Sequence, residues 1–505
     1  MTIYERSGYG QAGASYKKKA LKGFNGRSYS PEEDIDVNNK TLRQRARILY
    51  MSAPLATSII KTYRTNTIGT GLILKSSIKG ELIGLTAEQT ESLQKQIERE
   101  FYLWANDKRA CDATGVNDFN DMQQLAFSSY LTSGDVFALK KTRTPDARRP
   151  YMTCWQIIEA DRVATPTKNA GADYLRFTRG KAKNGNDIFD GVEVDKNGLI
   201  QAYYICNQYP TAPLNDLSLD YDRVAAYGEK TGLPNILHVM TTERPGQYRG
   251  VSILAQAIEP ILQSRRYTDA EVTAAVTEAC FTAWVKTEAN PAENPLQEVG
   301  TDNGVKTTAP DDYEMGPGQI NILKPGEDIV FSDPKRPGGG FSDFMDYIAQ
   351  LAGASAELPK DLLVKKYDTS YSASRAAFIE AQKAFKMQRR WFAADFNQPI
   401  FEAFLAEAVA LGRLNLPGFF EDEATRAVYC GAEWIGPAMT QIDPNKEISA
   451  MSAAVAAGFK TRTQAAIELN GSDFMKNAAE LIKENKALAE ATPAQTKEGL
   501  TNGEA

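Results

Sequence analysis

From Tyr371 to Gln398 the chain reads YSASRAAFIEAQKAFKMQRRWFAADFNQ, with no glycine or proline until Pro399. Such a run admits little besides a long helix. Ala373, Ala376, Ala377, Ala381 and Ala384 are the best helix formers, and Phe378, Ile379, Phe385 and Trp391 supply apolar anchors. From Ser372 to Gln398 the helix would span roughly 40 Å at about 1.5 Å per residue. Immediately ahead lies a polar, tyrosine-rich loop carrying Lys365, Lys366, Tyr367 and Tyr371. A cationic segment at the root of a long rigid rod suits contact with a polyanion, not bond-breaking chemistry.

The rest of the chain is ordinary in composition. Its 505 residues suffice for two to four domains; 42% are hydrophobic and 24% charged. The net charge of −6 speaks against a protein that grips DNA statically over a broad surface, since such affinity comes from neutralising phosphates. A local basic patch remains possible. The five cysteines are scattered without a CxxC, so reduced thiols are expected. The first residues lack an apolar signal segment and no run approaches 18 apolar residues. Synthesis in the cytosol, without membrane association, is the expectation.

Residues 1–40 read as a mobile arm with a small basic cluster at Lys17, Lys18, Lys19 and Lys22. A helical pattern over 39–66 is interrupted at Pro54. Thr86 and Gln89 fit a capping box ahead of an amphipathic helix bearing Leu93, Ile97, Phe101 and Trp104. Asp118 opens a second helix reaching Thr132. Residues 135–245 carry strand signals, with Asp195-Lys196-Asn197-Gly198 as a hairpin turn. Helical patterning returns over 250–285, with Trp284 on its stripe. Residues 288–333 contain ten acids against Lys306 and Lys324 and read as a protruding β-containing insertion. Pro337-Gly338-Gly339-Gly340 reads as a hinge before a helix over 341–356. After Pro417 an irregular stretch is expected to reach Gly436-Pro437. Asp443-Pro444 starts the last helices; Thr461 caps one that Asn470-Gly471 ends.

Motifs for chemistry are absent. The single histidine, His238, sits in an apolar strand-like run and reads as structural. There is no P-loop, HExxH or EF-hand pattern. Asp118, Asn120 and Asp121 suit capping, and the acid pairs Asp311-Asp312 and Glu327-Asp328 suit a solvated surface. No cofactor, metal or reaction is expected. From the residues alone, a structural part of a large assembly, such as a connector or baseplate component, and a hydrolase with an unrecognised site both stay open.

Several segments in order carry a resemblance. They are Trp104 with Cys111-Asp112 and Gly115; Ser133-Gly134-Asp135-Val136-Phe137; Arg249-Gly250-Val251-Ser252; Lys324-Pro325-Gly326-Glu327; Tyr371-Ser372-Ala373-Ser374-Arg375; Pro399-Ile400-Phe401; and Ile442-Asp443-Pro444-Asn445-Lys446-Glu447. Over about residues 40–490 the chain resembles the lambda family of tailed-bacteriophage portal proteins.

The resemblance implies an α+β portal fold: an α/β wing over 41–250, stem helices over 251–287 and 341–357, and a small β-containing clip over 288–340. A tunnel loop over 358–372 would lead into the long helix and a return to the wing over 373–439. Crown helices over 440–491 and a disordered tail over 492–505 would follow. It implies a non-enzymatic homo-oligomeric ring, typically a dodecamer, at one vertex of the virion capsid. Double-stranded DNA would be packaged and ejected through it. Assembly in the host cytoplasm would involve terminase (the packaging ATPase), head-completion and connector proteins, and major capsid and scaffolding proteins. Lys365, Lys366, Tyr367, Tyr371, Arg375, Lys383 and Lys386 would face the DNA channel. Asp311, Asp312, Glu314, Glu327 and Asp328 would dock partners at the clip. The acidic total charge would keep DNA sliding. The alternative for the helix cations is pairing with acids of a neighbouring subunit.

Overall fold

The structure is a computed structural model and describes residues 14–15, 18–24, 26–166, 179–210, 219–279, 283–287, 327–331, 340–367, 370–438 and 444–491. A π-helical turn at Glu32–Asp36 leads into α1 (Val37–Ser52). Ala53 is extended, and Pro54 opens α2 (Pro54–Thr67), where its missing N–H costs nothing. The helical segment therefore starts earlier than position 39. Ser30 accepts from the Glu33 N–H at 3.3 Å while Glu33 accepts from the Ser30 N–H at 3.1 Å, a reciprocal cap that the sequence reading passed over. Arg244 fixes Asp34 at 2.6 Å. Residues 30–36 belong to the folded body, not to an arm.

Next come β1 (Ile73–Ser76), α3 (Ala87–Ala105), the one-turn α4 (Lys108–Cys111) and α5 (Phe119–Ser133). Thr86 and Gln89 make the expected capping box, and Asp118 accepts from the Asp121 N–H at 2.8 Å. The strand-rich region holds β2 (Asp135–Thr142), β3 (Thr153–Glu159), β4 (Arg179–Lys181), β5 (Asp187–Phe189), β6 (Val192–Val194), β7 (Ile200–Cys206), β8 (Tyr221–Ala225) and β9 (Ile236–Met240). These form two antiparallel sheets, ordered β3-β2-β9 and β4-β5-β6-β7-β8. The turn at 195–198 joins β6 to β7 as its residues predict, with Gly198 at φ +88°.

Then follow α6 (Ile258–Ala279), β10 (Ala283–Thr287), β11 (Glu327–Phe331), α7 (Gly340–Ser355), α8 (Lys360–Val364), α9 (Tyr371–Phe392) and α10 (Gln398–Ala410). The helix expected over 250–285 is shorter than read. Residues 283–287 are a strand, with Trp284 opposite Val330 and Val285 opposite Ile329. An apolar stripe satisfied both periods there, and cross-strand pairing decided the outcome. The last elements are α11 (Glu423–Tyr429), β12 (Ala432–Ile435), α12 (Pro444–Ala456), α13 (Arg462–Asn470) and α14 (Phe474–Ala491). The stretch expected to be irregular after Pro417 thus contains a helix and a strand, and β12 pairs with β1. Thr461 and Gly471 cap α13 at its two ends as expected.

One core joins α1, α2, α3, α5 and α10. At its centre Phe101 meets Phe119 edge-on at 5.5 Å and Phe404 at 5.3 Å, and Trp104 lies 5.7 Å away. A second core lies between the sheets, built from Phe137, Ile158, Val192, Tyr203 and Ile205.

The two sheets, α1 and the approach to α6 meet at a buried ionic joint. Arg249, fully buried, donates from Nε to Asp135 Oδ2 at 2.6 Å and from Nη1 to Asp190 Oδ2 at 2.7 Å. It also donates to the carbonyls of Val163 and Ala160 at 2.9 Å. Arg43 of α1 reaches Asp190 at 2.6 Å, and Asn39 donates to the Gly250 carbonyl at 2.7 Å. Burial works to raise the Asp135 carboxyl, but Arg249 and its other partners hold it far below the usual range. The joint closes only because Gly134 and Gly250 touch. A Cβ on Gly134, already at φ +91°, would lie 2.5 Å from the Gly250 carbonyl carbon.

Two expectations follow from this joint. Gly134→Ala is expected to cost about 3 kcal/mol or more, since strain and backbone collision add. Gly185→Ala, at φ +87° with nothing within 4 Å, is expected to cost only about 1 kcal/mol. Urea unfolding compares them, and equal losses would remove the close approach from the account. Asp36 is also buried here. Burial and then Asp190 lift its carboxyl to about 7, against Arg249 and Arg43. The folded chain then binds a proton that the unfolded chain releases near pH 3.8, so stability falls as pH rises between these values. Asp36→Asn should therefore gain on the wild type by about 1.4 kcal/mol per pH unit through that window and level off above it. A pH-independent difference in urea unfolding would refute the assignment.

Candidate nucleic-acid interface

The cationic loop is rooted more firmly than its sequence suggests. Residues 358–364 are not loop throughout: α8 occupies 360–364, and Leu358 and Leu363 are buried beside α2. Tyr63 Oη donates to the Ala356 carbonyl at 2.7 Å, Ser58 Oγ to the Leu363 carbonyl at 2.6 Å, and the Leu358 N–H to the Gly353 carbonyl at 2.8 Å. Lys360 donates to Asp346 at 2.8 Å and holds that carboxyl below its ordinary range. Sequence reasoning missed these anchors because the partners on α2 lie about 300 positions away.

Lys365 then turns left-handed (φ +56°), which ends α8 and directs the chain outward. Lys365, Lys366 and Tyr367 are exposed, Tyr367 by 60%. The Lys366 N–H returns to the Asp361 carbonyl at 3.2 Å. Positions 368 and 369 lie outside the described residues. Ser370 caps α9, accepting from the Ala373 N–H, and Tyr371 is its first residue.

Along α9 the buried side holds Ala381, Ala384 and Phe385, with Phe385 edge-on to Tyr63 at 5.2 Å. The exposed side carries Lys383, Lys386 and Arg390. Arg375 stands 3.7 Å from Glu447 of α12, and Lys383 donates to Glu380 at 2.6 Å. Two of the helix cations thus have acid partners within their own chain. Lys386 and Arg390 have no carboxylate within ion-pair distance among the described residues. Farther along, Arg389 is half-buried and donates to the carbonyls of Thr67, Asn66 and Pro437, tying α9 to the end of α2. Pro399 does not break the rod. A π-helical turn at Ala393–Asn397, with the Gln398 N–H bonding to Ala393, widens the backbone just before the proline.

The other candidate residues fall elsewhere. Asp311, Asp312 and Glu314 lie outside the described residues. Glu327 and Asp328 begin β11, opposite Thr287 and Lys286. His238 stacks on Phe137 at 4.2 Å, with Nε2 3.4 Å from Asp135. Burial, only partly opposed by Asp135, lowers its pKa and keeps it neutral, a structural role. Among the described residues no three His, Cys, Asp or Glu side chains group as a metal site, and no helix is long and apolar enough to cross a membrane.

The family model for "Phage portal protein, lambda family" matches residues 17–389. The chain belongs to the lambda family of phage portal proteins. Its role is that of a portal, a connector at a capsid vertex. The match includes the joint at Gly134, Asp135, Arg249 and Gly250 and most of α9. The resemblance noted at 399–401 and 442–447 lies beyond it. The chain is also similar to solved structures of gene transfer agent (GTA) particles. One is the neck of a native particle computed with C12 symmetry, at 12% identity and TM-score 0.42, covering 86% of this chain and 94% of that one. A second is the neck of an empty particle computed with C6 symmetry, at 13%, 0.45, 86% and 93%. A third is the virion of a native particle, at 13%, 0.43, 86% and 94%.

The Arg375–Glu447 pair bears on whether Arg375 is available to a ligand. Both side chains are partly exposed, at 38% and 24%. A double-mutant cycle with Arg375→Ala and Glu447→Ala should give a coupling below about 1 kcal/mol in thermal unfolding. A coupling above about 2 kcal/mol would make the pair structural and take Arg375 out of the candidate interface.

Proposed function

We propose that identical copies of this portal protein close into a ring, a dodecamer, at one vertex of the virion, and that double-stranded DNA passes through its bore. On this reading the chain is a conduit and not an enzyme. Packaging energy comes from the terminase ATPase that docks on it, and the ring is later sealed by connector proteins. Major capsid and scaffolding proteins surround it during assembly in the host cytoplasm.

The observation that carries the reading is membership of the portal family over residues 17–389. The geometry of residues 358–371 adds to it. Buried leucines and α2 fix the base, and Lys365 turns an exposed Lys-Lys-Tyr tip away from it. We assign Lys365, Lys366, Tyr367, Tyr371, Arg375, Lys383 and Lys386 to the channel side, as residues that touch the phosphate backbone briefly. Residues 288–340, with Asp311, Asp312, Glu314, Glu327 and Asp328, are assigned to docking of basic partner surfaces. The wing is assigned to 41–250, the stem to 251–287 and 341–357, the tunnel loop to 358–372 and the crown to 440–491. A net charge of −6 per copy keeps the duplex from adhering, while a few loop cations steer it.

Lys365→Glu combined with Lys366→Glu tests the channel assignment. Rings should still be visible by negative-stain microscopy. DNA-filled particles should fall by about tenfold, because two attractive contacts per subunit become repulsive. Normal filling by the double variant would discard the tunnel-loop assignment.

A further inference from the structure

We propose a second phosphate-binding surface on this chain, at the β2–β3 hairpin, that takes the backbone of duplex DNA. Residues 140–149 read KKTRTPDARR, and the fold places Lys108 and Arg109 of α4 against them. Seven cations stand there against Asp107, Asp112, Asp146 and, at the hairpin's base, Glu407, in a chain that is acidic overall. Lys108 also has Asp121 at 3.9 Å.

The arginines form a built cluster rather than a solvated run. Arg143 and Arg149 both aim Nη1 at the Arg109 carbonyl, at 3.5 and 3.3 Å. Arg143 also donates to the Ala113 carbonyl, and Arg149 to the Thr144 carbonyl at 2.5 Å. The loop receiving them is rigid. Asp112 accepts from the N–H groups of Thr114, Val116 and Asn117, and the Ala113 N–H donates to the Trp155 carbonyl at 2.8 Å. Arg149 Nε is buried with no hydrogen-bond partner among the described residues, and its only carboxylate there, Asp146, is 3.8 Å away. Arg109 and Arg148 are exposed, without a carboxylate in ion-pair distance among the described residues. Like charges held this close are favourable when a polyanion neutralises them.

Guanidinium forks match phosphate oxygens. Residues 141–150 contain no apolar side chain larger than proline; the exposed Met152 stands at the hairpin's base, opposite Arg143, and the cationic turn itself has no apolar anchor of the kind that centres a protein interface. That favours a nucleic-acid backbone over an acidic protein. The surface is also separate from the cationic loop. Ser370 caps the start of the α9–α10 rod, whereas Glu407 near its end accepts from the Met152 and Thr153 N–H groups beside the hairpin. The intervening helix is roughly 50 Å long at 1.5 Å per residue. The proposal therefore stands or falls apart from the channel assignment.

The test uses the full chain and a fluorescent duplex of about 30 base pairs, read by anisotropy across a salt series near about 0.1 M. Arg109→Ser with Arg148→Ser alters the two exposed guanidiniums and leaves the buttressing ones in place. Affinity should fall at least about fivefold and the log–log salt slope by about 2, one per lost contact, with Arg109→Lys/Arg148→Lys keeping the slope. The Lys365→Glu/Lys366→Glu chain, run in parallel, should retain this component. Thermal melts confirm folding; if the double serine variant melts early, Arg148→Ser alone should lower the slope by about 1. An unchanged slope in folded variants overturns the proposal. So does loss of poly-glutamate binding with duplex binding intact, which would mark an acidic protein partner. Displacement of the duplex by equimolar pyrophosphate would mark a free-phosphate site and overturn it too.

Discussion

The contact on which the architecture depends is the buried pair of Arg249 and Asp135. It lies where four parts of the chain converge: α1 through Arg43 and Asn39, β2 through Asp135, the turn between β5 and β6 through Asp190, and the segment entering α6 through Gly250. Each of these elements could pack against its neighbours in more than one orientation on apolar area alone. The guanidinium removes that freedom, because its donors must meet two carboxylates and two or more carbonyls in fixed directions. Replacing such a pair with apolar residues need not weaken a fold, whereas removing one partner leaves an uncompensated charge and costs about 3–5 kcal/mol. Its value here is in orientation. The approach to α6 is set by the residue next to Arg249, and the direction of β2 by the residue after Gly134.

What could be read from the sequence was what is decided locally. The caps at Thr86, Asp118 and Thr461 involve partners three residues away, and the turn at 195–198 needs only its own side chains and Gly198. The long helix followed from composition. What could not be read was settled by distant partners. β1 finds β12 some 360 positions later, and Trp284 becomes strand because Val330 lies opposite it. The segments that carry the family resemblance show the same limit. Gly134, Asp135, Arg249 and Gly250 were legible as marks in two separate places. Only the fold shows them as one contact, with each glycine leaving room for the other's backbone.

For the candidate interface, residue types were legible and context was not. The exposed Lys-Lys-Tyr tip was visible as a polar stretch, but the short helix beneath it and its anchors on α2 were not. Nor was the pairing of Arg375 and Lys383 within the chain. Helical spacing places four cations on one side of α9, and spacing alone cannot tell a ligand-facing charge from one already neutralised.

These pairings bear on how an acidic protein could handle a polyanion, as the proposed function requires. Attraction that is spread evenly along a passage adds up to a trap, since every neutralised phosphate releases counterions and deepens binding. The described structure distributes its cations otherwise. Much of the positive charge on α1 and around the two sheets is cancelled locally, as in Arg43 with Asp190, Arg223 with Glu193 and Arg249 with Asp135. Glu193 shows how complete this is: burial pushes its carboxyl up, yet Arg223, Asn184 and Asn186 bring it down to about 2. Other cations stand exposed on short, well-anchored projections, among them the tip after α8 and the hairpin between β2 and β3. A duplex meeting charge at such points gains a few screened contacts at a time, each reversible at physiological salt. That is the condition under which a strand can be guided and still move.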